Sequence, residues 1–294
     1  MGNVKVTIFT PVYNRANTLK RLYDTLVRQT CKDFEWLVVN DGSTDDSDLV
    51  LEQFMAEDND FSINYFYKEN GGKHRAINYG VERAQGELFF IVDSDDWLAS
   101  DAIGTILKYY EPIEGDLSFA GIAGTKVDSE GCISGTTFRG EYIDATSLER
   151  DKYGIIGEKS EVFRTSVLRE FKFPEFDGEK FISEAVVWNK IAYNGYKLRW
   201  FNHPIYYWEY QVDGLTSNLR KLYKNNPQGY LLYVAQEIMY LKLPLLKRIL
   251  LLGRCVETLQ GVEYTNKKVV KSLGLNDFEL LLSKLLYPVY KRLR

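Results

Sequence analysis

The sequence predicts an α/β fold, a mostly parallel sheet flanked by helices, with a helical extension at the C-terminal end. Three observations predict it. Short β-rich runs alternate with helical stretches of about 10 to 15 residues through the first 125 positions. A polar loop follows each of the first four runs. Beyond Asn226 the pattern is helical alone, punctuated by Pro244 and Gly253.

Lys5 to Thr10 reads as the first strand, and Leu19, Leu22, Tyr23, Leu26 and Val27 form a helical stripe with Asn17 or Thr18 as its cap. Glu35 to Asn40 is the second strand, followed by Asp41-Gly42-Ser43-Thr44-Asp45 and a helix carrying Leu49, Phe54 and Met55. Ile63 to Tyr67 is the third, with the loop Glu69-Asn70-Gly71-Gly72 and a helix from Arg75 to Gln85. Leu88 to Val92 is short and wholly apolar, as expected of a strand buried on both faces, and runs into Asp93-Ser94-Asp95-Asp96. Leu117 to Ala123 is a further strand. Gly131, Gly135 and Gly140 mark a hairpin, Glu158 to Arg169 and Glu184 to Tyr193 read as helices, and Leu198 to Phe201 and Ile205 to Tyr210 as strands. In parallel sheets ligands bind at the carboxyl ends of strands, and all four polar loops lie there.

The 294 residues are 45% hydrophobic and 27% charged, so the chain can bury a large core and is not disordered. A net charge of −4 argues against a nucleic-acid partner held through phosphates. The charge is unevenly spread: Lys242 to Arg294 holds eleven Lys and Arg against four Asp and Glu. The abundant aromatics (21 Tyr, 16 Phe, 5 Trp) read as packing. Cys31, Cys132 and Cys255 are odd in number and lack metal-type spacing, which suits a reducing cytoplasm. The N-terminal residues enter a strand at once, so no signal peptide is expected. No run reaches the roughly 20 apolar residues of a membrane span.

The strongest chemical signal is Asp93-Ser94-Asp95-Asp96. Carboxylates so close repel unless a cation lies between them, and Mn2+ or Mg2+ binds carboxylate and phosphate oxygens together. The alternative is an acidic helix start capped by Ser94 or Asp96. Thr10-Pro11-Val12-Tyr13-Asn14-Arg15 offers a fixed backbone and an aromatic to flank a planar base; it also fits a plain turn capped by Asn14. Asp41 is placed to accept from a base N–H or a ribose hydroxyl, or to belong to an Asx turn. Asn70-Gly71-Gly72-Lys73-His74-Arg75 combines close backbone approach with cations at a helix start, Lys73 being the preferred phosphate contact. The Walker pattern is absent.

Together, Val6 to Arg15, Val39 to Asp45, Asn70 to Lys73 and Gly86 to Asp96 resemble the successive signatures of family 2 glycosyltransferases of the bacterial polysaccharide type. The resemblance is close over residues 4 to 125 and looser over 160 to 210. It implies the GT-A fold, a Rossmann-related sheet. It further implies that Thr10, Pro11, Tyr13 and Asp41 hold a nucleobase and ribose, most often uridine, with Lys73 near the diphosphate. Asp93 and Ser94 would line the nucleotide-sugar site, and Asp95 with Asp93 would hold Mn2+ or Mg2+. Asn40 departs from the aspartate common in the family. In the second half the family's base aligns with Glu184, four residues before Trp188, with Ser183 replacing a glutamate and Glu179 as fallback. Ser183 as a helix cap with Glu184 in the first turn is the competing reading.

These readings divide the chain into a nucleotide-sugar half (1–125), an acceptor half of the same domain (126–225) and a helical extension (226–294). The expected activity is metal-dependent single displacement, with inversion, from a UDP-sugar to a glycan or lipid-linked glycan. The rivals are a nucleotidyltransferase, disfavoured by the absence of a Gly-rich basic loop after the first strand, and a non-catalytic nucleotide-sugar-binding protein. The basic tail is either an amphipathic segment touching the inner face of the membrane, or a cap packing on the catalytic domain or on a second subunit in a homo-oligomer.

Overall fold

A computed structural model describes residues 4–210, 219–262 and 264–292. The first residues of the chain, Met1 to Asn3, and the end of the basic tail, Leu293-Arg294, lie outside the described residues. The chain packs as two compact units, one formed by Met1–Lys172 and Ile191–Gln211, the other by Phe173–Lys190 and Val212–Arg294. This division by packing differs from the one drawn at residues 125 and 225.

The elements run β1 (Val6–Val12), α1 (Leu19–Val27), β2 (Phe34–Asn40), α2 (Ser47–Ala56), β3 (Ser62–Tyr67), α3 (Lys73–Arg83), β4 (Leu88–Ile91), β5 (Trp97–Leu98), α4 (Ala102–Tyr110), β6 (Phe119–Asp128), β7 (Tyr142–Ala145), β8 (Lys159–Arg164), α5 (Thr165–Glu170), α6 (Ala185–Tyr193) and β9 (Lys197–Trp208). The helices α7 (Leu219–Asn225), α8 (Pro227–Tyr240), α9 (Leu245–Thr258), α10 (Asn266–Ser272) and α11 (Asp277–Arg292) follow. All strands belong to the first unit. They form one sheet in the order β3-β2-β1-β4-β8-β6-β9-β5, with β7 also on β9.

The four N-terminal strands pair in parallel, Val6 opposite Phe34 and Leu88, and Glu35 opposite Ser62. Their carboxyl ends therefore stand side by side. β1 and β2 are buried almost throughout because both faces are covered. Val6, Ile8 and Val12 pack with Leu19, Leu22, Tyr23 and Leu26 of α1, while Phe9 points the other way, towards α3. A Cβ on Gly80 would stand 2.3 Å from the Phe9 ring, so only glycine lets α3 approach this closely. The second unit has its own core: Tyr230, Leu231 and Val234 of α8, Leu252 and Cys255 of α9, Val269 and Val270 of α10, and Leu280 of α11.

Several sequence expectations are corrected. Glu158 to Arg169 is not helical throughout; its first part is β8, inserted antiparallel between β4 and β6. The charged ends of β8 are tolerated there because each is hydrogen-bonded. The Lys159 ammonium donates to the carbonyls of Ser134, Thr136 and Ile156, and Arg164 to those of Ile113, Glu114 and Asp116. Tertiary pairing overrides local propensity. The hairpin at Gly131 shrinks to a turn closed by a single bridge, Val127 to Ile133, and β7 pairs with β9 instead. The two strands around His203 are one continuous strand, with Pro204 accommodated where the β6–β9 register shifts. Thr18 does occupy the cap position of α1, but its hydroxyl donates to the Arg15 carbonyl instead of capping.

Candidate active site

The site is built at the aligned carboxyl ends of β1 to β4. The loop after β1 turns at Asn14, a non-glycine residue at φ +54°. Asparagine tolerates this left-handed conformation because its short amide bonds locally. Here the Asn14 amide oxygen accepts from the Thr44 N–H at 2.8 Å, and its own N–H donates to the Ser43 hydroxyl at 3.0 Å. The Ala16 N–H donates to the Asp45 carboxylate at 3.0 Å. The first two loops are thus stitched into one wall, with Tyr13 half-exposed on it.

Asp41 organises the third loop. One oxygen accepts from Lys68 Nζ at 2.6 Å and the Gly71 N–H at 2.9 Å; the other accepts from the Asn70 amide at 3.2 Å and the Gly72 N–H at 2.7 Å. The turn beneath is tight. Gly42 is at φ +77°, and a Cβ there would lie 2.7 Å from the Asn70 nitrogen. Gly72, at φ +96°, starts α3 and delivers Lys73 to the fourth loop.

That fourth loop gathers its charges in layers. Lys73 Nζ meets Asp93 at 2.6 Å, and Arg15 stands 3.8 Å from Asp95. Below them the buried Tyr206 hydroxyl, from β9, donates to Asp96 at 2.6 Å and accepts the Asp93 N–H at 3.1 Å. Lys126 lies 4.2 Å over the same ring. Arg21 donates to the Asp95 carbonyl, pairs with Glu209 at 2.6 Å, and stacks 4.1 Å over Trp97, whose other neighbour in the stack is Tyr207.

The environment separates the three carboxyls. Burial disfavours ionisation of Asp93, but Lys73, Lys126 and Arg15 outweigh it and hold this carboxyl below the usual range. Asp95 is raised by burial and by the neighbouring Asp93 charge. Asp96 is pushed up to about 7, chiefly by burial and then by Asp93, with the Tyr206 hydrogen bond opposing. Burial and the same carboxylates push Tyr206 upwards, so its proton stays on the phenol.

The donor set suits a hard divalent cation. Asp93 and Asp95 are part-exposed carboxylates in a crowd of like charge that a cation would relieve. Among the described residues no group of three or more His, Cys, Asp or Glu side chains could hold an ion. A divalent ion at Asp93 and Asp95 would need phosphate oxygens and water to complete its shell.

Two of the expected contact residues have buried side chains. Thr10 is fully buried, and its hydroxyl accepts the Trp36 indole N–H at 2.9 Å, so it supports the loop from within the core. Ser94 is also buried, at 5% exposure, and does not line an open surface. Pro11 and Tyr13 keep accessible surface. Sequence reasoning missed Arg15, Arg21, Lys68, Lys126 and Tyr206. Arg15 stood in the quoted first motif and could have been found there; Tyr206 carried no local signal.

Glu184 belongs to the second unit. It directly precedes α6, part-exposed, and its carbonyl accepts the Val187 and Trp188 N–H groups. The fallback, Glu179, is buried and caps α8, accepting from the Gln228 and Gly229 N–H groups at 2.7 and 2.9 Å. Its carboxylate thus serves the helix terminus.

Residues 7–171 match the family model described as glycosyl transferase family 2, and the chain belongs to that family. It is 27% identical to glycosyltransferase GlyA of Streptococcus pneumoniae serotype 4 over 224 residues, 72% of this chain and 31% of that protein. It is 28% identical over 191 residues to a GalNAc(5)-diNAcBac-PP-undecaprenol beta-1,3-glucosyltransferase of Campylobacter jejuni, 63% of this chain and 58% of that one. The chain spans about a third or less of the first curated relatives it matches: 31% of GlyA and 18% of an uncharacterized glycosyltransferase of Rickettsia bellii. Among solved structures, S. aureus TarS in complex with UDP-GlcNAc superposes with a TM-score of 0.64 at 17% identity, covering 96% of this chain and 89% of that one. A Pyrobaculum calidifontis mannosyltransferase in complex with GDP-Man and Mn2+ gives 0.55 at 19%, covering 98% and 80%. The shared architecture is the GT-A fold.

Proposed function

We propose that this chain transfers a sugar from a UDP-sugar to a hydroxyl of a glycan or lipid-linked glycan, with inversion at the anomeric carbon. The observation that carries the reading is the convergence of Lys73, Asp93 and Asp95 beside the wall formed by Pro11, Tyr13 and the Asp41-ordered glycine loop. The UDP-GlcNAc complex of the similar TarS fold and the lipid-linked acceptor in the Campylobacter relative's name support the substrate classes. Three free cysteines support a cytoplasmic location.

Each side chain has a task. Tyr13 and Pro11 flank the base, and Asp41, whose carboxylate accepts the Gly71 and Gly72 N–H groups, orders the glycine loop beside them. Lys73 neutralises diphosphate charge. Asp93 and Asp95 would hold Mn2+ or Mg2+, which supplies Lewis-acid stabilisation of the departing diphosphate. The family resemblance makes Glu184 the candidate base, which would remove the proton from the acceptor hydroxyl as that oxygen attacks the anomeric carbon. The new C–O bond forms as the bond to the diphosphate breaks, and the electron pair leaves with UDP.

Thermal-shift screening of UDP-, GDP- and dTDP-sugars with and without Mn2+ tests the donor side. Stabilisation by UDP-sugars that requires the metal is expected. Stabilisation by GDP-sugars alone, or by none, overturns the donor assignment.

A further inference from the structure

We propose that the outward face of α11 docks on an anionic lipid surface. Phe278, Leu281, Leu285 and Val289 recur at helical spacing along its 16 residues and are 63%, 55%, 61% and 56% exposed. At about 100° per residue they share one narrow face. Arg292 falls within that arc, and Lys284 and Lys291 roughly 100° to its side. All three cations are exposed, and Lys291 also pairs with Glu257 of α9 at 2.5 Å, which leaves Lys284 and Arg292 as the cations the proposal uses. Of the helix's two acids, Glu279 is buried against Arg248, which leaves Asp277 at the solvent-facing start. The opposite face already has its partner. Leu280 joins the helical core, and Tyr287 fills the space beside Gly253, where a Cβ would stand 2.4 Å from the ring.

An amphipathic helix with an apolar stripe and flanking cations lies in the plane of a membrane interface, its apolar side chains in the acyl boundary and its long basic ones reaching to headgroups. Charge selects the occupant. From Lys242 to Arg294 cations outnumber acids eleven to four, and Lys247, Lys267, Lys268 and Lys271 are exposed in the same unit. A second copy would bring the same cations against these, whereas phosphatidylglycerol brings their complement. Among the described residues no helix is long and apolar enough to cross a membrane. The contact is therefore interfacial.

Sedimentation of the whole chain with vesicles tests this without reading transfer, so it stands apart from the chemistry of the sheet unit. Binding to vesicles containing phosphatidylglycerol, weakened by salt, and little binding to phosphatidylcholine alone are expected. The double change Leu281→Ser with Leu285→Ser should lower partition about tenfold or more. Lys284→Ala and Arg292→Ala should each lower it about fivefold; both are exposed and should leave the thermal melt unchanged. Absence of binding, equal binding to neutral vesicles, or unchanged binding by all variants overturns the proposal. So does a wild-type dimer that becomes monomeric with the leucine changes, since a second copy then covers the stripe.

Discussion

The Tyr206 hydroxyl joins Asp96 at 2.6 Å while accepting the Asp93 N–H, so one phenol from β9 holds both ends of the acidic loop. Tyr206→Phe removes both bonds without changing volume. A buried bond to an ionisable group is worth roughly 1–3 kcal/mol, so a lower unfolding midpoint is expected. The Mn2+ concentration for half-activation should rise, while UDP binding measured without metal stays near wild type.

The donor side is tested at two cations' worth of charge. Asp95→Ala should abolish the metal-dependent part of UDP-sugar binding in calorimetry, leaving a weak metal-independent remainder. Lys73→Met removes the partner of Asp93 and should weaken diphosphate binding more than nucleoside binding. Equal losses for UDP-sugar and uridine would show that Lys73 serves the fold instead.

Glu184 and Glu179 should separate cleanly. Glu184→Gln is expected to reduce turnover about 100-fold or more with UDP-sugar affinity retained. Glu179→Gln weakens the cap of α8 and should cost about 1 kcal/mol in urea unfolding, with turnover at saturating donor near normal.

Gly80→Ala should destabilise the sheet unit by roughly 1–3 kcal/mol, because the added methyl meets the Phe9 ring and the core must shift. Equilibrium denaturation gives the value. An unchanged midpoint would mean that α3 moves away freely.

A pH dependence follows from Glu87. Burial opposes its ionisation, but hydrogen bonds from Tyr110 and Lys5 outweigh this and hold its carboxyl below the ordinary range. A carboxyl lowered on folding stabilises the native state above its unfolded value, about 4.3, and that contribution fades as pH falls through the folded value. Melting temperatures should therefore drop as pH falls below about 4, and less steeply for Glu87→Gln. A parallel decline in both proteins would remove Glu87 as the cause.

The donor loops were legible in sequence because each is local: an apolar strand, then Asp, Asn and Gly at the spacing a turn requires. The parallel order of β1 to β4 followed from the same alternation. β8 was not legible, since Lys159 and Arg164 favour helix until the carbonyls that receive them are in place. The internal partner of Thr10 was hidden for a related reason. Trp36, 26 positions later, donates its indole N–H to the Thr10 hydroxyl inside the core. Tyr206 lies 110 positions from Asp96, and nothing in an aromatic strand announces that it will hold an acidic loop.

The position of β9 bears on how the protein is made. A ribosome releases β1 to β4 and all four loops long before it adds Tyr206, and β8 must also arrive to cover the edge of β4. The nascent N-terminal segment thus carries all four loops while its acidic turn still lacks the Tyr206 clasp. The two bonds that hold the acidic turn are therefore complete only when the last strand is in the sheet.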